Sequence, residues 1–349
     1  MSKTYFQRVS EMTPTRVWIN NPTRQQARQA IDAGATGCTT NPSYISKLLE
    51  DPMDGEYVRN RIRALLAEEA DDTRLIERVY SALVKESAEI FYPLYEESQG
   101  AQGYVSIQGD PFNESEENLL RYAMENHALA ENITPKIPYV ETAKHAVKQL
   151  MLNGVPLNIT EIMAVRQALD VHETYADVAK KRKGMPVVYY SHIMGIFNEY
   201  MAEYVAKQGI GIASDIVSQA GIAVARKMTQ VLSESKARIE MISGGARTVE
   251  NFTDMVGAHA YVTINWHGTF DTLLERNENV VQRFLQPTPD SVVDELLEKV
   301  PEFGRAYMMN GITEAEYEEY GPVVKFRESF QKGWNAALTE VAKLRRESR

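Results

Sequence analysis

Eight times along this chain a short run of β-branched and apolar residues gives way to a longer stretch of helical periodicity. The strand-like runs fall at 16–20, 35–40, 104–108, 133–138, 156–160, 186–191, 238–243 and 260–264. Helical patterns follow at 23–33, 55–69 with 72–97, 114–126, 141–152, 162–181, and 196–207 with 212–234. Strands separated by helices pair in parallel, because a parallel neighbour needs a crossover that a helix supplies. Eight such units favour an α/β fold of the (β/α)8 TIM-barrel type over an open doubly wound sheet. Beyond residue 264 the pattern is helical only, at 290–299, 313–320 and 323–345. The last stretch carries an apolar stripe of Phe326, Phe330, Trp334, Ala337, Leu338 and Val341. It is expected to pack on the body, to cover a barrel mouth or to join two subunits. The expected organisation is one barrel domain over residues 1–349, with 265–349 as a helical C-terminal extension packed on the barrel.

Composition narrows the function classes. The chain has 349 residues, 44% hydrophobic and 25% charged, which suits a globular protein with a substantial core. A net charge of −10 argues against nucleic acid or a membrane surface as a partner, while leaving room for a local cationic pocket. Cys38 is the single cysteine, so neither an intrachain disulfide nor a cysteine-based zinc site can form; a buried, apolar role is expected for it. The six histidines form no HxH or HExxH pair, and no metal is expected. No apolar run approaches the ~18 residues of a membrane span, and the first residues lack a signal-peptide core, so the expected address is cytoplasmic.

In a barrel the chemistry gathers where strands end. Those ends carry Asn20, Thr39 and Asn41, Gln108, Lys136, Asn158 and Thr160, Ser191 and His192, Ser243 and Arg247, and Asn265. One amine among neutral hydrogen-bonding groups is unlike the paired carboxylates of a hydrolase or a Ser-His-Asp set. Lys136 lies in Ile133-Thr134-Pro135-Lys136-Ile137-Pro138, and burial among such residues disfavours the ammonium form. A neutral amine is what a Schiff base with a ketone requires. Read alone, the segment also fits a surface lysine at a strand end.

Gly37-Cys38-Thr39-Thr40-Asn41-Pro42-Ser43 resembles the G-x-TTNPS signature of the transaldolase family. Pro135-Lys136-Ile137-Pro138 resembles that family's lysine-bearing strand, Asn158-Ile159-Thr160 its N-x-T, and Ser243–Arg247 its late strand ending in an arginine. The ordered set spans most of the chain, from Val17 to Ile264. The resemblance implies a class I aldolase barrel without metal or organic cofactor that moves a dihydroxyacetone unit between sugars, or cleaves and forms ketoses. It implies Lys136 as Schiff-base nucleophile, with Gln108 and Thr160 handling the catalytic water. Asn20, Thr39, Asn41, Asn158, Ser191, His192, Ser243 and Arg247 would then contact substrate.

The chain departs from the family pattern at three places. Gln108 stands where transaldolases carry a glutamate and the fructose 6-phosphate aldolase branch a glutamine. Asn20 stands where most members have an aspartate. Near Ile196 the sixth-strand arginine is absent, which leaves Arg247 as the phosphate ligand of the matched pair. A glutamine positions water but cannot take its proton, so the relay must differ, with Tyr189, Tyr190 and His192 as candidates. His192 alone titrates near neutrality; its alternative is a strand-end histidine bonded to backbone. The expected partner is a small sugar or sugar phosphate, on an atypical substrate, and a homo-oligomer is expected. The competing reading is a non-catalytic sugar-binding or regulatory barrel.

Overall fold

In the computed structural model, which describes residues 3–235 and 237–348, eight parallel strands close on themselves. They are β1 (Arg16–Asn20), β2 (Cys38–Thr39), β3 (Val105–Gln108), β4 (Ile133–Pro138), β5 (Leu157–Ile162), β6 (Val188–His192), β7 (Ile239–Ser243) and β8 (Ala260–Ile264). Each pairs with its chain neighbours, and β1 closes the ring on β8 with Val17 opposite Val262. Helices pack around the outside, as a (β/α)8 barrel requires.

The interior is filled by rings. Trp18 on β1, Tyr189 on β6 and Ile242 on β7 meet Tyr104, just before β3. Non-adjacent strands can share such contacts only across the barrel. Trp18 and Tyr189 lie edge to face with centroids 5.3 Å apart, and Tyr104 stands 6.1 Å from Tyr189. The indole explains Gly37: a Cβ there would sit 2.7 Å from Trp18 Nε1 and 2.8 Å from Cζ2.

Five strands, β2, β3, β5, β6 and β7, have bounds other than those read from the sequence, and β2 and β5 bear on the site. β2 is shorter than 35–40, yet its backbone bonding runs on outside the strand, with Thr36 N donating to Val17 O and Thr40 N to Ser106 O. β5 runs two residues beyond 160, to Ile162, and its helix begins only at Val165. The cause is a bulge. Ile159 pairs with Tyr190 but Ile162 with His192, so β5 holds one residue more than β6 across the same step. Glu161 takes up the extra length in the left-handed region, φ 65°.

Helices Tyr5–Met12 and Tyr44–Glu50 were not read from the sequence, and the stretch 212–234 divides into Ser214–Ser218 and Ala220–Leu232. The C-terminal helix, Gly321–Glu347, buries Phe326, Phe330, Trp334, Ala337, Val341 and Leu344 along one stripe, each worth roughly 1.5–3 kcal/mol for the large side chains. It crosses the C-terminal mouth of the barrel. At Gly333 it touches the loop after β2 so closely that a Cβ would fall 2.6 Å from Ser43 Cβ. Arg345 pairs with Asp72 (2.7 Å) and Arg59 with Glu340 (2.8 Å) further along. The stripe is therefore consumed within the chain, and the expectation of a homo-oligomer loses the helix it rested on. Among the described residues no helix is long and apolar enough to cross a membrane, and no cluster of His, Cys, Asp and Glu could hold a metal ion.

Candidate active site

Lys136 is the centre of a pocket of about 200 Å³ at the C-terminal end of the strands. Its position on β4 is fixed from both sides, by Gln108 on β3 and Asn158 on β5. The side chain is 5% exposed. Phe326 and Phe330 of the C-terminal helix roof it, with their ring centroids 5.6 and 5.4 Å from Nζ. Burial lowers its pKa from 10.5 to about 8, while the Glu161 carboxylate opposes the fall. No ion pair to Nζ within 4.0 Å exists among the described residues.

Around the amine lie Asn20, Thr39, Asn41, Ser191 and Arg247, which share the pocket lining with it. Thr39 Oγ1 donates to Asn20 Oδ1 (2.9 Å) and shares a hydrogen bond with Thr263 Oγ1 (2.6 Å). Asn20 Nδ2 in turn donates to Asn265 Oδ1 (2.9 Å), so strands β1, β2 and β8 are laced at the rim. Asn41 is partly occupied with its own loop: its Oδ1 accepts from Asn21 Nδ2 and Ser43 N, both at 3.0 Å. Asn158 lies below the floor. It accepts from Ser191 Oγ (2.7 Å) and donates to Ser106 Oγ (3.1 Å), which makes it a support for Ser191.

Gln108 and Thr160 are buried beside the lysine strand rather than in the pocket wall. Gln108 Oε1, Thr160 Oγ1 and Glu161 Oε2 are buried without a hydrogen-bond partner in the protein. Such atoms are rare in a folded interior and mark a place built to meet another polar group.

Beyond Asn158, Gln108 and Thr160, two more expected residues lie outside the pocket lining, and these face away from it. His192 faces the outer side of the barrel, fully buried, with Nδ1 3.0 Å from Ile162 O and Nε2 3.1 Å from Gly221 O. Burial lowers its pKa and the two carbonyls only partly oppose this, so the ring acts as a strut between β5, β6 and a helix. Ser243 is its register partner on β7 and shares that face. Of the two tyrosines, Tyr189 fills the barrel, while Tyr190 packs outward against His172 (5.7 Å between centroids). Burial raises the Cys38 thiol far above its ordinary range, consistent with an inert packing residue.

Four residues near the amine were missed. Lys47 stands exposed at the rim, its Nζ 3.3 Å from Asn265 Oδ1, and lines the pocket together with Arg247. Lys47 comes from the helix Tyr44–Glu50 after the TTNPS loop, and desolvation at the rim and the nearby Arg247 lower its pKa. Phe326 and Phe330 appeared in the sequence as part of an apolar stripe, with nothing to aim them at Lys136. Glu161 is the fourth. A charge breaking the run Asn158-Ile159-Thr160-Glu161-Ile162 was its only signal. Arg247 is not free, since Glu199 Oε2 accepts from its Nε at 2.8 Å and ties it to Lys325 of the C-terminal helix (3.0 Å). Arg247 also borders a larger apolar cavity of about 900 Å³ among the outer helices. Among the described residues no strand residue lines that cavity, whose apolar wall of Ala202, Val205 and Ile222 is edged by Glu199, Glu250 and Asp254.

The chain is similar to known proteins over most of its length. The family model described as Transaldolase/Fructose-6-phosphate aldolase matches residues 17–332. A transaldolase of Thiobacillus denitrificans is 23% identical over 350 residues, covering 90% of this chain and 94% of that protein. One from Kocuria rhizophila is 24% identical over 240 residues, 63% of each chain. One from Mycobacterium tuberculosis is 28% identical over 176 residues, 48% of this chain and 46% of the relative. The chain thus spans about half the length of the mycobacterial relatives it matches. With the model match running from β1 into the C-terminal helix, the chain belongs to the transaldolase/fructose-6-phosphate aldolase family.

Proposed function

We propose that the protein is a class I aldolase or transaldolase that binds a ketose covalently through Lys136. The amine adds to the ketose carbonyl carbon, and loss of water from the carbinolamine leaves an iminium ion. Departure of the C4 hydroxyl proton then breaks the C3–C4 bond, giving an aldehyde and a three-carbon enamine. The enamine either attacks a second aldehyde, which is transfer, or is protonated and hydrolysed, which releases dihydroxyacetone. The observation that carries this reading is a buried lysine, its pKa lowered to about 8, facing a small pocket of hydroxyl and amide groups. Thr39, Asn20 and Ser191 supply hydrogen bonds to sugar hydroxyls. Arg247 with Lys47 forms a cationic rim suited to a phosphate or another anionic group.

Borohydride trapping with dihydroxyacetone, fructose and fructose 6-phosphate, read by peptide mass spectrometry, tests the proposal. A mass increment on the Lys136 peptide, absent in Lys136→Ala, is the expected result. An adduct on a different lysine, or ketose binding unchanged in Lys136→Ala with no adduct in the parent, would favour a sugar-binding barrel instead. Whether dihydroxyacetone is released without an acceptor separates cleavage from transfer.

A further inference from the structure

With amides at Asn20 and Gln108, the strand ends beside Lys136 hold no acid at the two positions where the family keeps one. The structure nevertheless places a carboxyl group there by another route. Along an unbroken β5, Asn158 and Thr160 would share a face and Glu161 would point outward among the helices, a costly place for a carboxylate. The bulge alters this. The extra residue and the φ of 65° at Glu161 let Ile162 take the outward position beside His192 while Glu161 turns back toward β3 and β4. There Gln108 Nε2 donates to Glu161 Oε1 (3.3 Å), and Oε2 is left without a partner in the protein.

The bulge is held by a dedicated clamp. Gln167 is fully buried and uses both ends of its amide on the backbone. Its Nε2 donates to Glu161 O and Tyr139 O, both at 3.1 Å. Its Oε1 accepts from Met163 N (2.8 Å) and Ala164 N (3.1 Å). A strained conformation that is this firmly fastened, at the mouth of the barrel, points to function.

We propose that Glu161 is the general acid and base of the Lys136 chemistry, in place of the acids absent at Asn20 and Gln108. This rests on Lys136 as the imine-forming residue. The protonated carboxyl gives its proton to the carbinolamine hydroxyl, which leaves as water while the nitrogen lone pair forms the C=N bond. The resulting iminium cation and Glu161 carboxylate balance in charge. The carboxylate then takes the C4 hydroxyl proton as the C3–C4 bond breaks, so that enamine and aldehyde form and the acid is restored. Lys136 and Glu161 lie beyond the 4.0 Å of an ion pair yet near enough to influence each other's charge.

The surroundings favour a carboxyl that can hold a proton near neutrality. Desolvation raises its pKa, while Lys136, the more distant Arg327 and the Gln108 hydrogen bond oppose the rise. Glu318 adds to the rise, and Glu114, itself raised by burial and by Glu161, faces it from the segment before helix Glu116–His127. Activity then needs Lys136 unprotonated and Glu161 protonated, so kcat/KM should rise and fall with pH as a narrow bell.

The test is Glu161→Gln, which keeps the shape and the contact to Gln108, with two separate readouts. The first is borohydride trapping of dihydroxyacetone on Lys136. The second is turnover of a ketose substrate with its pH profile. The expected result is an adduct that still forms but more slowly, kcat lower by roughly 10²–10⁴-fold, and loss of the alkaline limb of the bell. The remaining ascending limb should then titrate as a single group, Lys136 alone. A wild-type parent that forms no adduct overturns both this inference and the proposed function. An adduct with kcat and pH profile unchanged in Glu161→Gln overturns this inference alone. Should that variant fold poorly, the exchange Gln108→Glu with Glu161→Gln gives the second reading. Turnover within about tenfold of wild type supports a proton-transfer role at this spot, and loss of turnover in a folded, ketose-trapping exchange variant overturns it.

Discussion

Replacing Phe326 and Phe330 together by alanine removes the roof over Lys136, and the structure sets the size of the effect. A fall from 10.5 to about 8 corresponds to about 3 kcal/mol of disfavoured ammonium. Two opposing consequences follow from removing the rings. Water enters and restores the ammonium, while the attraction of the ring faces for the cation is lost. The centroids at 5.6 and 5.4 Å are near the outer limit of that attraction, worth about 0.5–1 kcal/mol each, so hydration wins. At pH 7 a lysine with a pKa of about 8 is neutral roughly one time in ten, and at 10.5 roughly one time in three thousand. The double variant should therefore move the midpoint of the trapping rate upward by at least about one pH unit and slow trapping at pH 7 by roughly tenfold or more. The assay is the rate of dihydroxyacetone adduct formation under cyanoborohydride between pH 6 and 10.5, followed by intact mass. A midpoint that stays put or falls would refute the reasoning and show that the rest of the pocket wall excludes the water.

Gly333→Ala sets a methyl against Ser43 and should cost about 1–3 kcal/mol of overpacking; thermal unfolding should show a lower Tm, and the Lys136 midpoint should rise as in the roof variant. Gln167→Met removes four hydrogen bonds at the bulge, and kcat should fall by at least about tenfold with KM little changed while the fold loses about 2–4 kcal/mol in urea unfolding. Arg247→Ala should raise KM for a phosphorylated ketose by roughly 10–100-fold and leave dihydroxyacetone trapping unaffected. Lys136→Met should stabilise the protein. The folded pKa of about 8 lies below the ordinary 10.5, so the unfolded chain binds more protons between those values and wild-type stability rises with pH across them. The gain in Lys136→Met is then about 3 kcal/mol at most at pH 7, shrinks above pH 8 and vanishes near pH 10.5, as urea midpoints at several pH values would reveal.

The barrel was legible because period and length leave little choice. Parallel strands separated by helices close at eight, and the runs at 133–138 and 260–264 coincide with β4 and β8 to the residue. The pocket residues on regular strand ends, such as Thr39, Lys136 and Ser191, could be placed by alternation alone. What failed did so where alternation breaks or where distant segments meet. His192 and Ser243 sit one residue past an inward position and therefore face out. Glu161 was invisible because a bulge reverses its face, and nothing in a five-residue run announces the extra residue. Phe326 and Phe330 showed their helix and their stripe, but which barrel end that helix crosses depends on the Gly333–Ser43 contact, a fact of tertiary packing.

The roof has a consequence in time. The amine lies on β4, and the rings that cover it arrive roughly 190 residues later in the chain. Until the C-terminal helix docks, Lys136 is an ordinary hydrated cation, no more reactive toward sugars and aldehydes than any surface lysine. If Lys136 forms the proposed imine, nascent or partly unfolded chains would be spared premature condensation with carbonyl compounds. Nucleophilicity becomes a property of the finished molecule, and any event that lifts the last helix returns the lysine to its silent form.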